Sequence, residues 1–406
     1  MERYTDHYQA LYDYLGTLPI INTHSHELRP EQQVGIGLHE VLMTSYVAPR
    51  WHGLSLDETT ENIALFTKRL KYNSHFYWMV QGLQKLYGLD LPLNEDTYWE
   101  YDRRIREKRK DPTYPDRALQ EICGYRHVIL DQPKFPGIDN GNPALNKPVF
   151  RIDMMLMGHD PDILDHDGRN AASYFDLDRN ISFDDYVEFC RNTVQNALDR
   201  GCVGLKCAKA YDRSLIFREA SAGEARAAFH NAAATPNQIR DFEDYMFYQM
   251  MDVANKNGAP VQFHTGLGKM IDSGAKYIRP VIAKYPNVVF DVFHASYPWM
   301  DDVCGLVHNY ANVRADLCWM PIISIEASVR FIKELVQVGR LNTMMWGSDT
   351  FNVEESCGAI LAAKKAIARA FAELIEDDMM NMDDAKCFCR HILYQNAADT
   401  FHISLD

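Results

Sequence analysis

The sequence predicts an α/β fold, a (β/α)8 barrel with a helical insertion after its first strand, and three observations carry that prediction. Eight short apolar runs recur along the 406 residues. Amphipathic segments long enough to cross back over a sheet separate the later runs. The position after the first run, where an open doubly wound sheet would carry a glycine-rich phosphate loop, holds histidines instead. Residues 1–406 are read as one barrel, with 30–120 as the insertion inside it.

Residues 1–17 read as a helix leading to the first strand, whose start is marked by Leu18-Pro19. That strand, Ile20-Ile21-Asn22-Thr23, runs into His24-Ser25-His26-Glu27. Side chains alternate faces along a strand, so His24 and His26 point the same way from its C-terminal end. Residues 30–120 carry aromatic and apolar residues at helical spacing, as in Phe76-Tyr77-Trp78-Met79-Val80 with Leu83 and Leu86, and no strand pattern. The charged run from Tyr101 to Lys110 reads as a solvated helix face.

From residue 125 short apolar runs alternate with helical stretches. The runs are 127–131, 149–153, 203–206, 260–264, 288–294, 313–316 and 343–349, which with the first strand makes eight. The helical segments between them include 184–198, 241–254, 327–338 and 355–374. In a barrel the C-terminal strand ends converge on one face. What stands there is His24 and His26 after strand one, Lys206 after four, His264 after five, His294 after six and Asp349 after eight.

Taken singly, each has a plainer reading. A histidine near an apolar run is common here, Lys206 is placed to pair with Asp153, and Asp349 could cap the following helix. Their joint occurrence at the same end of successive strands points to a metal site. Imidazole and carboxylate donors suit Zn²⁺ and related divalent ions, one or two in number. Lys206 becomes a ligand only as a neutral amine or as the carbamate formed with CO₂. Arg151, Asp153, Tyr211, Arg213, Tyr297, Arg314, Asp316 and Trp346 are the candidates for substrate contact, an arginine among them suiting a carboxylate.

Composition narrows the partners. The net charge of −14 leaves no basic surface for a nucleic acid or an anionic membrane. No stretch is long and apolar enough to span a bilayer, and the first residues lack the apolar core of a signal peptide. Nine cysteines without a Cys-x-x-Cys pair suggest reduced, buried thiols. The expectation is a cytoplasmic protein acting on a small molecule, with a homo-oligomer open to it through the insertion.

The ordered set of His-x-His, lysine, two histidines and aspartate resembles the amidohydrolase superfamily over most of the chain. The blocks from Gly204 to Tyr211, His294-Ala295-Ser296-Tyr297-Pro298 and Trp346-Gly347-Ser348-Asp349-Thr350 are similar to the amidohydrolase-related domain found fused to glutamine-synthetase-like domains. The aromatic helix from Asn73 to Trp78 resembles the insertion of uronate isomerases. The resemblance implies that His24, His26 and Asp349 hold one metal. His264 and His294 hold a second if Lys206 is carboxylated; otherwise one of them is a ligand and the other a proton carrier. Asp349 would take the proton of an attacking water and pass it to the leaving group, with His294 as the other catalytic residue. Three functions follow as expectations: a hydrolase of an amide, lactam, lactone or ester; a decarboxylase or uronate-isomerase-like enzyme on the same scaffold; or a metal-binding protein without turnover.

Overall fold

The structure, a computed structural model, describes residues 6–55 and 57–405. A helix over Asp6–Thr17 leads into β1, Ile20–Ser25; the part of the expected helix at 1–5 lies outside the described residues. The other strands are β2 (Tyr125–Leu130), β3 (in two segments, Asn146–Pro148 and Phe150–Arg151), β4 (Leu205–Cys207), β5 (Val261–Phe263), β6 (Phe290–Val292), β7 (Val313–Asp316) and β8 (Met344–Met345). Every ladder is parallel, as crossover connections require. The barrel closes between its last strand and its first. The Thr23 amide donates to the Trp346 carbonyl at 3.1 Å, and the Asp349 amide to the His24 carbonyl at 2.8 Å.

β4, β5, β6 and β8 are shorter than the sequence predicts, and β3 is broken in two. β3 breaks at Val149, whose amide bonds back to Leu130 at 3.0 Å, while the next amide, Phe150, bonds forward to Gly204 at 3.0 Å. β8 keeps only Met344–Met345, because Asp349 turns into the left-handed region, with φ 55°, and the chain leaves the ladder before reaching it. The helices start slightly earlier than predicted because their caps lie upstream of the apolar periodicity. Thr235 and Gln238 form a capping box ahead of Pro236–Asn257, and the Asn352 side chain accepts from the Glu355 amide to start Val353–Glu376.

Between β1 and β2 the described residues contain helices and no strand: Leu38–Met43, Thr60–Leu70, Ser74–Tyr87, Tyr98–Lys108 and Tyr114–Ala118. Ser74–Tyr87 lies against Val353–Glu376 so closely that the backbones touch. A Cβ on Gly82 would fall 2.1 Å from the Glu354 carbonyl oxygen, and one on Gly358 would fall 2.2 Å from that of Trp78. The charged residues of 101–110 are exposed except Asp102 and Arg109, which are buried, as are Tyr101 and Ile105 on the inner face of the helix. No helix of the described residues is long and apolar enough to cross a membrane.

Candidate metal centre

At the C-terminal ends of the strands five of the six expected side chains meet. His26 donates its Nδ1 proton to the Asp131 carbonyl at 2.8 Å, since a carbonyl can only accept, and its Nε2 lies 3.0 Å from Asp349 Oδ1; burial would lower the His26 pKa, but the hydrogen bond to Asp349 raises it. His24 Nε2 lies 3.5 Å from the same oxygen, and its Nδ1 is buried with no protein partner. His294 sits in a turn of three consecutive left-handed residues after β6, with φ 62° at His294, 47° at Ala295 and 56° at Ser296. Its Nδ1 donates to the Cys318 carbonyl at 2.9 Å, so its Nε2 lone pair faces Asp349 Oδ2 at 3.6 Å and His264 Nδ1 at 3.0 Å. His264 in turn spends its Nε2 proton on the Leu267 carbonyl.

Imidazole nitrogens and one carboxylate therefore converge, while the carbonyls of Asp131, Leu267 and Cys318 hold the far ring nitrogens of His26, His264 and His294. Electrostatics keep His24, His264 and His294 neutral. Burial pushes His24 and His264 well below the ordinary imidazole range, helped by Lys206, and pushes His294 down to about 4. Burial alone would raise Asp349, but the His26 hydrogen bond and the charges of His24, His26 and His294 outweigh it and hold the carboxyl well below the usual carboxylate range. A buried cluster of electron pairs around an anion, with an orphaned imidazole nitrogen beside it, is a donor set that fits a divalent cation.

Lys206 stands apart from this cluster. Its Nζ lies 3.6 Å over the ring of Phe293, and that ring packs against His24 at 4.6 Å. Burial lowers the ammonium's pKa, while Asp131 and Asp349 pull it back up.

The expected substrate contacts divide. Arg151 holds Asp131 with Nε at 3.1 Å and reaches Asp167 with Nη1, next to the centre. Tyr211 stacks on His264 at 4.2 Å. Asp316 accepts from Thr23 at 2.5 Å and from the Cys318 amide at 2.8 Å, below the cluster. Asp153 is consumed by the Ala208 amide at 3.0 Å, and Arg213 turns away onto Glu243 and Asp244. Arg314 bonds carbonyls at the start of β7, and Trp346 is wholly buried.

The sequence reading missed several neighbours. Asp131 ends β2 with Oδ2 3.9 Å from His24 Nε2. From the insertion come Tyr46 and His75, which stack on Trp319 at 4.7 and 5.7 Å, and Trp319 stacks on His294 at 5.3 Å. The insertion thus lays an aromatic cover over the centre. Only the aromatic richness of 46–78 signalled it.

Known proteins share this fold. A family model described as Amidohydrolase matches residues 209–403, the stretch that carries His264, His294 and Asp349. The match places residues 209–403, just under half of the chain, in the amidohydrolase family. His24 and His26 lie outside the matched stretch and are brought to it by the closure of β1 on β8. Among solved structures, the uronate isomerase of Thermotoga maritima superimposes with a TM-score of 0.78 at 16% identity, covering 98% of both chains. The glucuronate isomerase of Caulobacter crescentus gives 0.77 at 16% identity, over 98% of this chain and 94% of that one. A Lactobacillus casei chain assigned provisionally as a metal-dependent hydrolase gives 0.71 at 17%, over 97% of each. Among curated proteins, protein fluG of Emericella nidulans is 24% identical over 337 residues, 75% of this chain. The chain spans 39% of the length of that relative.

Proposed function

We propose that the enzyme is a metal-dependent hydrolase of an amide, lactam, lactone or ester bond in a small polar molecule, with His24, His26 and Asp349 holding a divalent ion. The observation that carries this reading is the ionised Asp349, buried at 4% exposure with imidazole Nε2 atoms 3.0 to 3.6 Å from its two oxygens. The nitrogen and oxygen donors suit zinc, which supplies Lewis acidity that polarises a substrate carbonyl. Asp349 is the proton carrier of the reaction: its depressed pKa keeps it ready as a base at neutral pH, and it then returns the proton to the leaving group. His294, neutral and fixed by the Cys318 carbonyl, orients the charge developing next to Asp349. The rings of Tyr46, His75 and Trp319 wall the centre on the insertion's side. The unpaired cysteines agree with a reducing, cytoplasmic setting.

Metal analysis after chelation and reconstitution, followed by assay against small amides, lactams, lactones and esters, tests the reading. Asp349→Asn is expected to lower kcat by about 10²- to 10⁴-fold, and His24→Asn to lower metal content. A folded protein that takes up neither Zn²⁺ nor Mn²⁺ would sink it. A second reading, isomerisation of a sugar acid, is favoured by Arg151 beside the centre and by the likeness to the two isomerase folds. Turnover of a uronate without hydrolysis of any ester or amide would select it.

A further inference from the structure

Asp349 divides its carboxylate. Oδ1 faces His24 and His26, whereas Oδ2 faces His294 Nε2 at 3.6 Å. Near that pair lies a thiol to which no role has been given. Cys318 Sγ, a ring nitrogen of His294 and an oxygen of Asp349 are all buried and lie within 4.8 Å of one another. Resting on the metal-dependent reading above, we propose that Cys318 is a thiolate ligand of a second divalent-ion position, which it forms with His294 and Asp349.

Three independent features point the same way. The His294 tautomer is fixed by the carbonyl of Cys318 itself, so the ring presents a lone pair towards Asp349. That lone pair stands 3.0 Å from Nδ1 of His264, whose Nε2 is engaged by the Leu267 carbonyl, so the two rings offer facing acceptors to a cation. The chain also takes left-handed backbone at all three strand ends concerned: φ is 62° at His294, 63° at Trp319 directly after Cys318, and 55° at Asp349. Side-chain-bearing residues are strained there, and such strain gathers at functional sites. Finally, Gly347 gives the sulfur room, since a Cβ at that position would lie 3.2 Å from Cys318 Sγ. Among the described residues no other cysteine joins a group of this kind. As the sulfur–metal bond forms, the thiol proton passes to solvent, so uptake of the second ion releases a proton.

The test is cobalt titration of the chelated full-length protein, followed by ultraviolet and visible spectra and elemental analysis. The expected result is about two ions per chain, with a thiolate-to-cobalt charge-transfer band growing in with the second. Cys318→Ser should keep one ion and lose the band, while Cys207→Ser, a buried thiol on β4, should keep both. X-ray absorption of the zinc form should place a sulfur at about 2.3 Å. If cobalt binds wild type without any charge-transfer band, Cys318 is not a ligand and the inference falls while the first position stands. If no cobalt binds, both fall. Because the band is read in wild type, a misfolded Cys318→Ser leaves the test decisive.

Discussion

Replacing Arg109 by methionine should detach the insertion from the barrel. Arg109 and Glu354 are both fully buried, and the guanidinium grips the carboxylate with two bonds of 2.8 and 2.7 Å to Oε1 and Oε2. A third bond, to Gln33 at 2.8 Å, ties in the start of the insertion, and Tyr87 donates to the same carboxylate at 2.5 Å. Glu354 begins the helix that follows β8, so one ion pair joins the far end of the insertion to the element that carries Asp349. Its removal leaves a buried anion with one hydroxyl donor, a loss on the order of 3–5 kcal/mol. Urea titration with a hydrogen-exchange readout over residues 74–87 measures it. In Arg109→Met/Glu354→Met, where no charge is stranded, most of the loss should return. A cost below about 1 kcal/mol for the single variant, or equal costs for single and double, would refute the argument that the pair anchors the insertion.

Two further outcomes are expected. Burial, and then the nearby His52, push His75 down to about 4, so the folded ring stays neutral where the unfolded one, at about 6.5, takes a proton. Between those values the unfolded state binds more protons, so stability should fall as pH drops from 6.5 towards 4, by up to ~3 kcal/mol, and be flat above. His75→Phe should make that slope shallower by the His75 share in urea titrations at pH 5 and 7, leaving the part that His24, His264 and His294 contribute. Separately, Asp167 holds the outer edge of the Arg151 guanidinium. Asp167→Asn should free it and tighten malonate binding by about tenfold, read by calorimetry. Unchanged affinity would mean that Arg151 is committed to Asp131 alone.

Much of the centre was legible because metal chemistry uses few residue types and a barrel puts them at strand ends. His24 and His26 follow from period two on β1, and Asp349, His264 and His294 from their places after later runs. What the pattern could not carry was backbone geometry. His294 reaches Asp349 only through three successive left-handed residues, and nothing in Phe293-His294-Ala295-Ser296 announces them. The contacts of Tyr46 and His75 depend on how the insertion folds back, which Gly82 and Gly358 allow by letting two helices touch. Cys318 was hidden for another reason: a buried cysteine is ordinary, and only its position relative to Asp349 sets it apart.

Lys206 is where sequence pattern and geometry part, and one substitution separates the alternatives. As a carbamate it would supply the anion that bridges two ions; as an ammonium it would repel them. Its Nζ lies on the face of Phe293, an arrangement that favours a cation; burial lowers its pKa overall, while Asp131 and Asp349 oppose that shift. Asp349 already offers one oxygen to each side, and Cys318 adds a second anionic donor, so a bridging carbamate is not needed to balance two cations. Lys206→Met should therefore tighten metal binding, because a like charge near the ions is removed. A carbamate would give the opposite sign, with loss of the second ion and a CO₂-sized mass on the wild-type peptide. Weaker metal binding in Lys206→Met, accompanied by that mass, would overturn the assignment of Lys206 as a structural ammonium.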